Sequence, residues 1–263
     1  METWTPEKKL SAAIEAPRAL AVRRRDTRII ERADWFQVIT PSSPGSWRNE
    51  IIHSDVAEAD ADRVIDDVIA TYHPMGKPVK WCVGPWTRPV DFGERLARRG
   101  FVSWTVVGMG IGTGVSLASS SAGVAVREVT TREGFATYAA CAQRAWESPL
   151  PDIELEIDAL ARAARQRSIR LYVVDVDGEP VGAAATVARG DYAYLLGAAV
   201  ESKGRNRGAY RALVAARLAD LRSEGVAYAV THAREHTSAP ILERLGFEVL
   251  FRSRCWMLDP PGQ

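Results

Sequence analysis

Lys203-Gly204-Arg205-Asn206-Arg207-Gly208-Ala209-Tyr210 is the stretch on which the architecture of this chain turns. Before it lies an apolar run, Tyr192–Val200, which predicts a strand buried on both faces. After it, Tyr210, Leu213, Val214, Leu218 and Leu221 recur at helical spacing and predict an amphipathic helix. Arg211, Arg217 and Arg222 are expected to fall largely off that apolar stripe. A helix start offers unpaired backbone N–H groups and the positive end of a dipole. Gly208 leaves room for a diphosphate to approach the backbone, and Lys203, Arg205 and Arg207 add three positive charges. The loop therefore reads either as an anion cradle or as a solvated basic turn. It matches neither G-x-x-x-x-G-K-[ST] nor G-x-G-x-x-G.

Around this loop the second half of the chain reads as α-α-β-β-β-loop-α-β-α-β. Helices are expected over 132–146 and 153–167, separated by a turn at Pro149–Pro151. Strands are expected over 170–176 and 180–188, joined at Asp177-Gly178, a hairpin signal, and again over 192–200. The helix after the loop should end at Glu224, followed by a strand over 226–231, a helix over 238–245 and a strand over 247–258. The first half suggests strands over 35–40 and 50–53, a helix over 57–72, a strand over 79–83, a helix over 91–99 and a strand over 102–107. Glu94-Arg95-Leu96-Ala97-Arg98-Arg99-Gly100-Phe101 and Glu243-Arg244-Leu245-Gly246-Phe247 are each a short basic helix stopped by Gly, with Phe entering a strand. This is either an internal duplication or a chance recurrence. The segment 108–123, poor in charge and rich in Gly and Ser, reads as a flexible linker. Domains are thus expected at 1–118 and 119–263.

Composition narrows the function classes. At 263 residues, with 46% apolar and 25% charged residues, the chain is globular rather than disordered. Lys plus Arg number 34 against 33 Asp plus Glu, which argues against a dedicated nucleic-acid binder. Cys82, Cys141 and Cys255 form no C-x-x-C pair, so neither a disulfide framework nor a cysteine-rich zinc site is expected. No apolar run is long enough to span a membrane, and a reduced, cytoplasmic protein is expected.

The loop resembles motif A, R/Q-x-x-G-x-G/A, of the GNAT (GCN5-related N-acetyltransferase) superfamily. Arg205 matches the first position and Gly208 the central glycine, while Tyr210 stands where Gly or Ala is usual. Ile241-Leu242-Glu243-Arg244-Leu245-Gly246-Phe247-Glu248 resembles the ending of motif B, Y-E-K-L-G-F. With the order of elements, the resemblance covers about residues 124–258. It implies an α/β fold of two GNAT-like domains, each a mixed, mostly antiparallel twisted sheet flanked by helices. It implies acetyl-CoA, or another acyl-CoA, as co-substrate, with no metal. The pyrophosphate would lie on Arg205, Asn206, Arg207, Gly208, Ala209 and Tyr210, and the pantetheine arm along Ala198, Ala199 and Val200. Transfer to an amine, of a small molecule rather than a protein, is the implied reaction. Neither nucleic acid nor membrane is an expected partner, and a monomer is expected rather than a homodimer.

The first half looks like a degenerate copy. Its counterpart of the loop, His53-Ser54-Asp55-Val56-Ala57-Glu58-Ala59-Asp60, has no glycine and three acidic residues, so no coenzyme site is expected there.

Both positions that usually carry catalysis in the family are changed. Tyr194 stands where a Glu base is usual, and Leu242 where a Tyr acid is usual. The remaining candidates are Tyr194, as a donor to sulfur or as a core aromatic, and His232, as a base just past a strand end or as a surface histidine. An unperturbed histidine titrates at about 6.5, which suits a base. Glu147, Asp152 and Glu154 flank the loop expected to border the acceptor. Two other readings stand beside this one. A non-catalytic acyl-CoA-binding or sensing protein would fit the loss of both catalytic side chains. His232-Ala233-Arg234-Glu235-His236 matches the zinc-peptidase pattern H-x-x-E-H, which requires a helix where a loop is expected here.

Overall fold

The computed structural model describes residues 4–117, 121–147 and 152–260. The chain begins with α1 (Pro6–Glu15), β1 (Arg28–Arg32), β2 (Trp35–Ile39), β3 (Glu50–Ser54), α2 (Ala61–Tyr72), β4 (Val79–Val83), α3 (Phe92–Arg98) and β5 (Val102–Gly112). It continues with β6 (Val124–Glu128), α4 (Arg132–Trp146), α5 (Ile153–Arg165), β7 (Arg170–Val176), β8 (Glu179–Arg189) and β9 (Tyr192–Val200). The last elements are α6 (Ala209–Ser223), β10 (Tyr228–Arg234), α7 (Ser238–Arg244) and β11 (Glu248–Leu258). The class is mixed α/β, with mostly antiparallel strand pairs, as expected. The turn expected at Pro149–Pro151 lies outside the described residues, and so does the 118–120 part of the expected linker.

The described residues gather into two compact units. The first draws on Arg24–Val107, Ala233–Pro240 and Phe251–Gln263. In it β1 pairs antiparallel with β2, and β2 with β3. Strand β3 runs parallel to β4, with Glu50 opposite Lys80 and Ile51 opposite Trp81. Strand β4 pairs antiparallel with Arg254–Leu258 of β11. The core is built on Trp81, fully buried, with Trp35 edge-on at 5.6 Å and Phe92 at 5.0 Å. Its indole N–H donates to Ser54 Oγ at 3.0 Å, so burial leaves no orphan donor there. Helix α2 turns Ile65, Val68 and Tyr72 into this core, and the Tyr72 hydroxyl donates to the Val38 carbonyl.

The second unit draws on Met1–Arg23, Gly108–His232 and Ile241–Leu250. Strands β6, β7, β8 and β9 form an antiparallel series, and β10 joins β9 in parallel. Helix α6 seals one face by packing Ala209 and Leu213 against Tyr172, Val174, Val176, Val181, Ala184 and Val200.

Two expectations need correction. The linker reading fails for 108–112, which is the end of β5. Met109 and Ile111 are buried there. The intervening Gly110 lies under the ring of Tyr228, so that a Cβ would sit 2.7 Å from Cζ. Gly110 marks a close approach in a strand, and the segment is not a flexible connection. Arg217, expected off the apolar stripe of α6, is 2% exposed. Its Nε donates to the Leu213 carbonyl and its Nη1 to the Ala185 carbonyl, at 3.0 and 3.2 Å. The sequence pattern also does not suggest α1, β1 or β6.

Tyr228 cannot easily yield to a side chain at residue 110, because Trp4 stacks on its ring at 4.6 Å and its hydroxyl donates to Glu248. Gly110→Ala is therefore expected to destabilise the protein by about 1–3 kcal/mol, as overpacking does. Gly112→Ala, where an added Cβ meets nothing within 4 Å, should cost under about 1 kcal/mol. Urea denaturation of both variants checks this pair.

Candidate functional site

The site begins where β9 and β10 stop pairing. Their parallel register covers Tyr192, Ala193 and Tyr194 opposite Tyr228, Ala229 and Val230. The Thr231 hydroxyl then donates to the Leu195 carbonyl at 2.8 Å. Beyond it, β9 runs on to Val200 and β10 to Arg234 with no further paired residues between them. On its other side β9 bulges, since Gly197 and Ala198 both stand against Ala184. Gly197 takes the positive φ of 59° that such a bulge requires. The backbone from Leu196 to Ala199 thus presents a strand edge, able to pair with an extended, amide-bearing ligand. From Tyr194 to Val200 that edge spans about 20 Å at the usual rise.

The loop expected to cradle an anion follows directly. Ser202–Gly204 is a 3-10 turn, Asn206 has φ 60°, and Gly208, at φ 84°, is the N-cap of α6. Gly208 has no side chain with which to cap the first helical turn. A Cβ on it would also strike Ser121. The first turn of α6 can therefore face an anion with its backbone N–H groups. The three cations are partly engaged. Arg205 Nε donates to the Val200 carbonyl at 3.3 Å, Lys203 pairs with Glu179 at 3.1 Å, and Arg207 pairs with Asp177 at 2.8 Å. The last two pairs are exposed at the β7–β8 turn, where such bridges contribute at most about 1 kcal/mol. A phosphate can displace them. Tyr210 is half-buried against the α6 core.

Tyr194 and His232 come together at the mouth of the split, ring centroids 5.7 Å apart and edge to face. Tyr194 is buried. His232 lies inside β10, not past the end of its strand as expected, because β10 runs to Arg234. Its Nε2 is 2.9 Å from the Ala13 carbonyl of α1. A carbonyl can only accept, so Nε2 carries the proton and Nδ1 is the nitrogen able to take one. Nothing in the sequence around His232 points to α1 as its partner.

Leu242, at the position of the usual tyrosine, is buried. Among the flanking carboxylates, Glu154 is exposed and paired with Arg132, which also holds Asp158 at 2.9 Å. Glu147 ends α4 with a positive φ, and Asp152 stands at the N-cap position of α5 without a side-chain hydrogen bond to that helix start. The H-x-x-E-H pattern does not form a zinc-peptidase helix, since His232 is in a strand and His236 precedes α7, 90% exposed beside Glu235. Among the described residues no cluster of His, Cys, Asp and Glu could hold a metal. No described helix is long and apolar enough to cross a membrane.

Sequence reasoning misses Glu201, at the hinge between β9 and the loop. Its side chain is 11% exposed and accepts from Arg144 of α4 at 2.8–2.9 Å. That carboxylate raises the Arg144 pKa above its ordinary value. The loop is thereby pinned to α4.

Residues 132–247 match the model of the acetyltransferase (GNAT) family. No curated protein sequence matches the chain. Among solved structures, a GCN5-related N-acetyltransferase from Kribbella flavida is similar at TM-score 0.65 and 15% identity, over 97% of this chain and 95% of that one. One from Sphaerobacter thermophilus is similar at TM-score 0.62 and 15% identity, over 90% and 77%. A tandem GNAT protein from the clavulanic acid biosynthesis pathway is similar at TM-score 0.56 and 15% identity, over 97% and 89%. At these identities the likeness is one of fold, and it extends over both halves of the chain.

Arg144→Ala leaves the Glu201 carboxylate nearly buried without its guanidinium. Because Arg144 itself is 48% exposed, a loss of about 1–2 kcal/mol is expected, below the cost at a fully buried pair. Adding Glu201→Gln should restore most of it, as a double-mutant denaturation cycle will read.

Proposed function

Because residues 132–247 are a domain of the GNAT acetyltransferase family, we propose that the protein transfers an acyl group, acetyl first among them, from acyl-CoA to an amine of a small molecule. The observation that carries this reading is the pairing of β9 with β10 over three residues, followed by a split that leads to the glycine start of α6. The pyrophosphate would rest on the N–H groups of Arg207, Gly208 and Ala209, with Arg205, Asn206 and Tyr210 beside it. The pantetheine amides would pair with the β9 edge at Ala198, Ala199 and Val200. That arrangement delivers the thioester to the mouth of the split, beside Tyr194 and His232.

There an incoming ammonium must lose a proton before it can attack. His232 Nδ1 takes it. The neutral amine forms a bond to the thioester carbonyl carbon, the C–S bond breaks, and the thiolate leaves. The Ala13 carbonyl fixes the histidine tautomer, and the edge of Tyr194 fixes the ring plane. Leu242 cannot protonate the sulfur, so the second proton that the nitrogen loses as the amide forms passes to the thiolate through solvent or by relay over the Tyr194 hydroxyl, which takes one proton as it gives one. The buried Leu242 also favours a second reading, an acyl-CoA sensor that binds without turnover.

Calorimetric titration of acetyl-CoA should find one site per chain. Arg207→Glu should weaken it at least tenfold, about 1.4 kcal/mol, in a folded protein. Two sites, or an affinity untouched by Arg207→Glu, would place the ligand elsewhere. Binding without turnover over a broad panel of amines would establish the sensor. His232→Gln keeps a donor for Ala13 but cannot titrate. It is expected to lower kcat by roughly 10²–10⁴-fold and to remove the acidic limb of the pH–rate profile. A variant with the wild-type profile would exclude His232 as the base.

A further inference from the structure

Strands β4 and β11 of the first unit set Cys82 directly opposite Cys255 in antiparallel register. Their sulfurs are 3.7 Å apart, although the residues are 173 positions apart in sequence. Both are free thiols; Cys255 is buried and Cys82 is half-buried. Lys80, two residues before Cys82 on the same face of β4, has its ammonium 2.6 Å from the Glu50 carboxylate. Burial opposes that charge, but Glu50 outweighs it and holds the lysine protonated. The hydrogen bond from Cys82 and the nearby Lys80 charge hold the Cys255 thiol below its ordinary range despite burial. Cys82, which gives that hydrogen bond, is pushed up.

We propose that Cys82 and Cys255 form an oxidative modification site, at which a hydroperoxide converts the pair to a cross-strand disulfide. The Cys255 thiolate attacks a peroxide oxygen, the O–O bond breaks, hydroxide leaves, and a sulfenic acid forms. The Cys82 sulfur then attacks the sulfenic sulfur. An S–S bond forms, the S–OH bond breaks, and the hydroxyl leaves as water with the Cys82 proton. Two thiols and one hydrogen peroxide give one disulfide and two waters.

The geometry accommodates the product. Directly opposed residues of an antiparallel pair have Cα atoms about 4.5–5.5 Å apart, inside the range a disulfide spans. The sulfurs must close by roughly 1.6 Å to reach bonding distance, a movement within reach of side-chain rotation. The bond would join two segments of the first unit, 24–107 and 251–260, that otherwise meet only through non-covalent packing. Closing so long a loop restricts the unfolded chain, so the oxidised protein should unfold at a higher temperature. The remaining cysteine, Cys141, is buried in the second unit beside Arg144 and serves as an internal control.

The test is mild hydrogen peroxide treatment of the full-length protein, then alkylation and mass spectrometry. The expected result is a loss of two hydrogens in the intact mass, a cross-linked peptide joining Cys82 to Cys255, Cys141 still alkylated, and full reversal by dithiothreitol. The melting temperature of the oxidised protein should exceed that of the reduced one. Cys82→Ser or Cys255→Ser should abolish the cross-link and leave the remaining thiol to oxidise alone. The proposal is overturned if both cysteines of treated wild-type protein still alkylate, if each oxidises separately, or if the bridge joins two chains. Wild-type protein alone is enough to distinguish these outcomes, whether or not the variants fold.

Discussion

Three residues of parallel pairing between β9 and β10 are the constraint from which the second unit is built. A parallel pair that continued to the strand ends would satisfy its own backbone and leave nothing for a ligand. Pairing that stops at Tyr194 and Val230 leaves strand edges whose polar groups must find partners. The chain meets part of this demand locally. The Thr231 hydroxyl serves the Leu195 carbonyl, and the buried Arg217 guanidinium serves the Ala185 carbonyl, next to the bulge. Arg217 has no ion-paired carboxylate among the described residues, and burial lowers its pKa. Holding a charge there costs several kcal/mol unless its hydrogen bonds are made, so its position beside the irregular stretch of β8 ties the cost to the geometry of the split.

The same split explains why the N-terminal segment belongs to this unit rather than to the sequence that follows it. Ala13 and Ala16 of that segment are fully buried, and Ala13 gives its carbonyl to His232. Lys8 and Lys9 tie α1 to Asp191 and Glu248 at 2.6 and 2.7 Å. Trp4 closes on Tyr228 and Tyr192. A histidine inside a strand next to an opened edge would otherwise rotate freely about its side-chain bonds. A packed helix carbonyl fixes both its tautomer and its ring. The candidate base is thus prepared by residues more than two hundred positions away in the chain.

How much of this is legible in the sequence follows from the range of each interaction. The elements from α4 to β11 can be read to within one or two residues, except β10, whose expected 226–231 runs over 228–234, because periodicity, the Asp177-Gly178 turn and the glycine stops are local signals. The glycine-started loop between β9 and α6 is legible for the same reason. What fails is non-local. Glycines 108, 110 and 112 carry the composition of a linker, and only the pairing of β5 and the ring of Tyr228 over Gly110 reveal a strand. Arg217 reads as a surface charge until the Ala185 carbonyl is seen to meet it. Glu201 gains meaning only from Arg144, and Cys82 only from Cys255. Helix α1 and strands β1 and β6 are too short or too charged to show a period.

The two parallel pairs, β3–β4 and β9–β10, show how one arrangement is joined by helices with differently charged starts. In each a long helix joins the two strands, and the difference lies in how the first strand leads into it. After β9 the chain spends glycines and cations to bring a bare helix start to the split. After β3 it enters α2 through Glu58 and Asp60, with Asp62 in the first turn. Those acids stay about half exposed or more, and each has a guanidinium partner. Arg95 of α3 and Arg99, the residue just past its end, bind Asp62, and Arg99 also binds Asp66 at 2.6 Å. Carboxylates at a helix start are favoured by its dipole, and here they are also met by guanidinium groups from the neighbouring helix. The helix start that in the second unit carries a glycine N-cap carries, in the first, carboxylates met by the protein's own guanidinium groups.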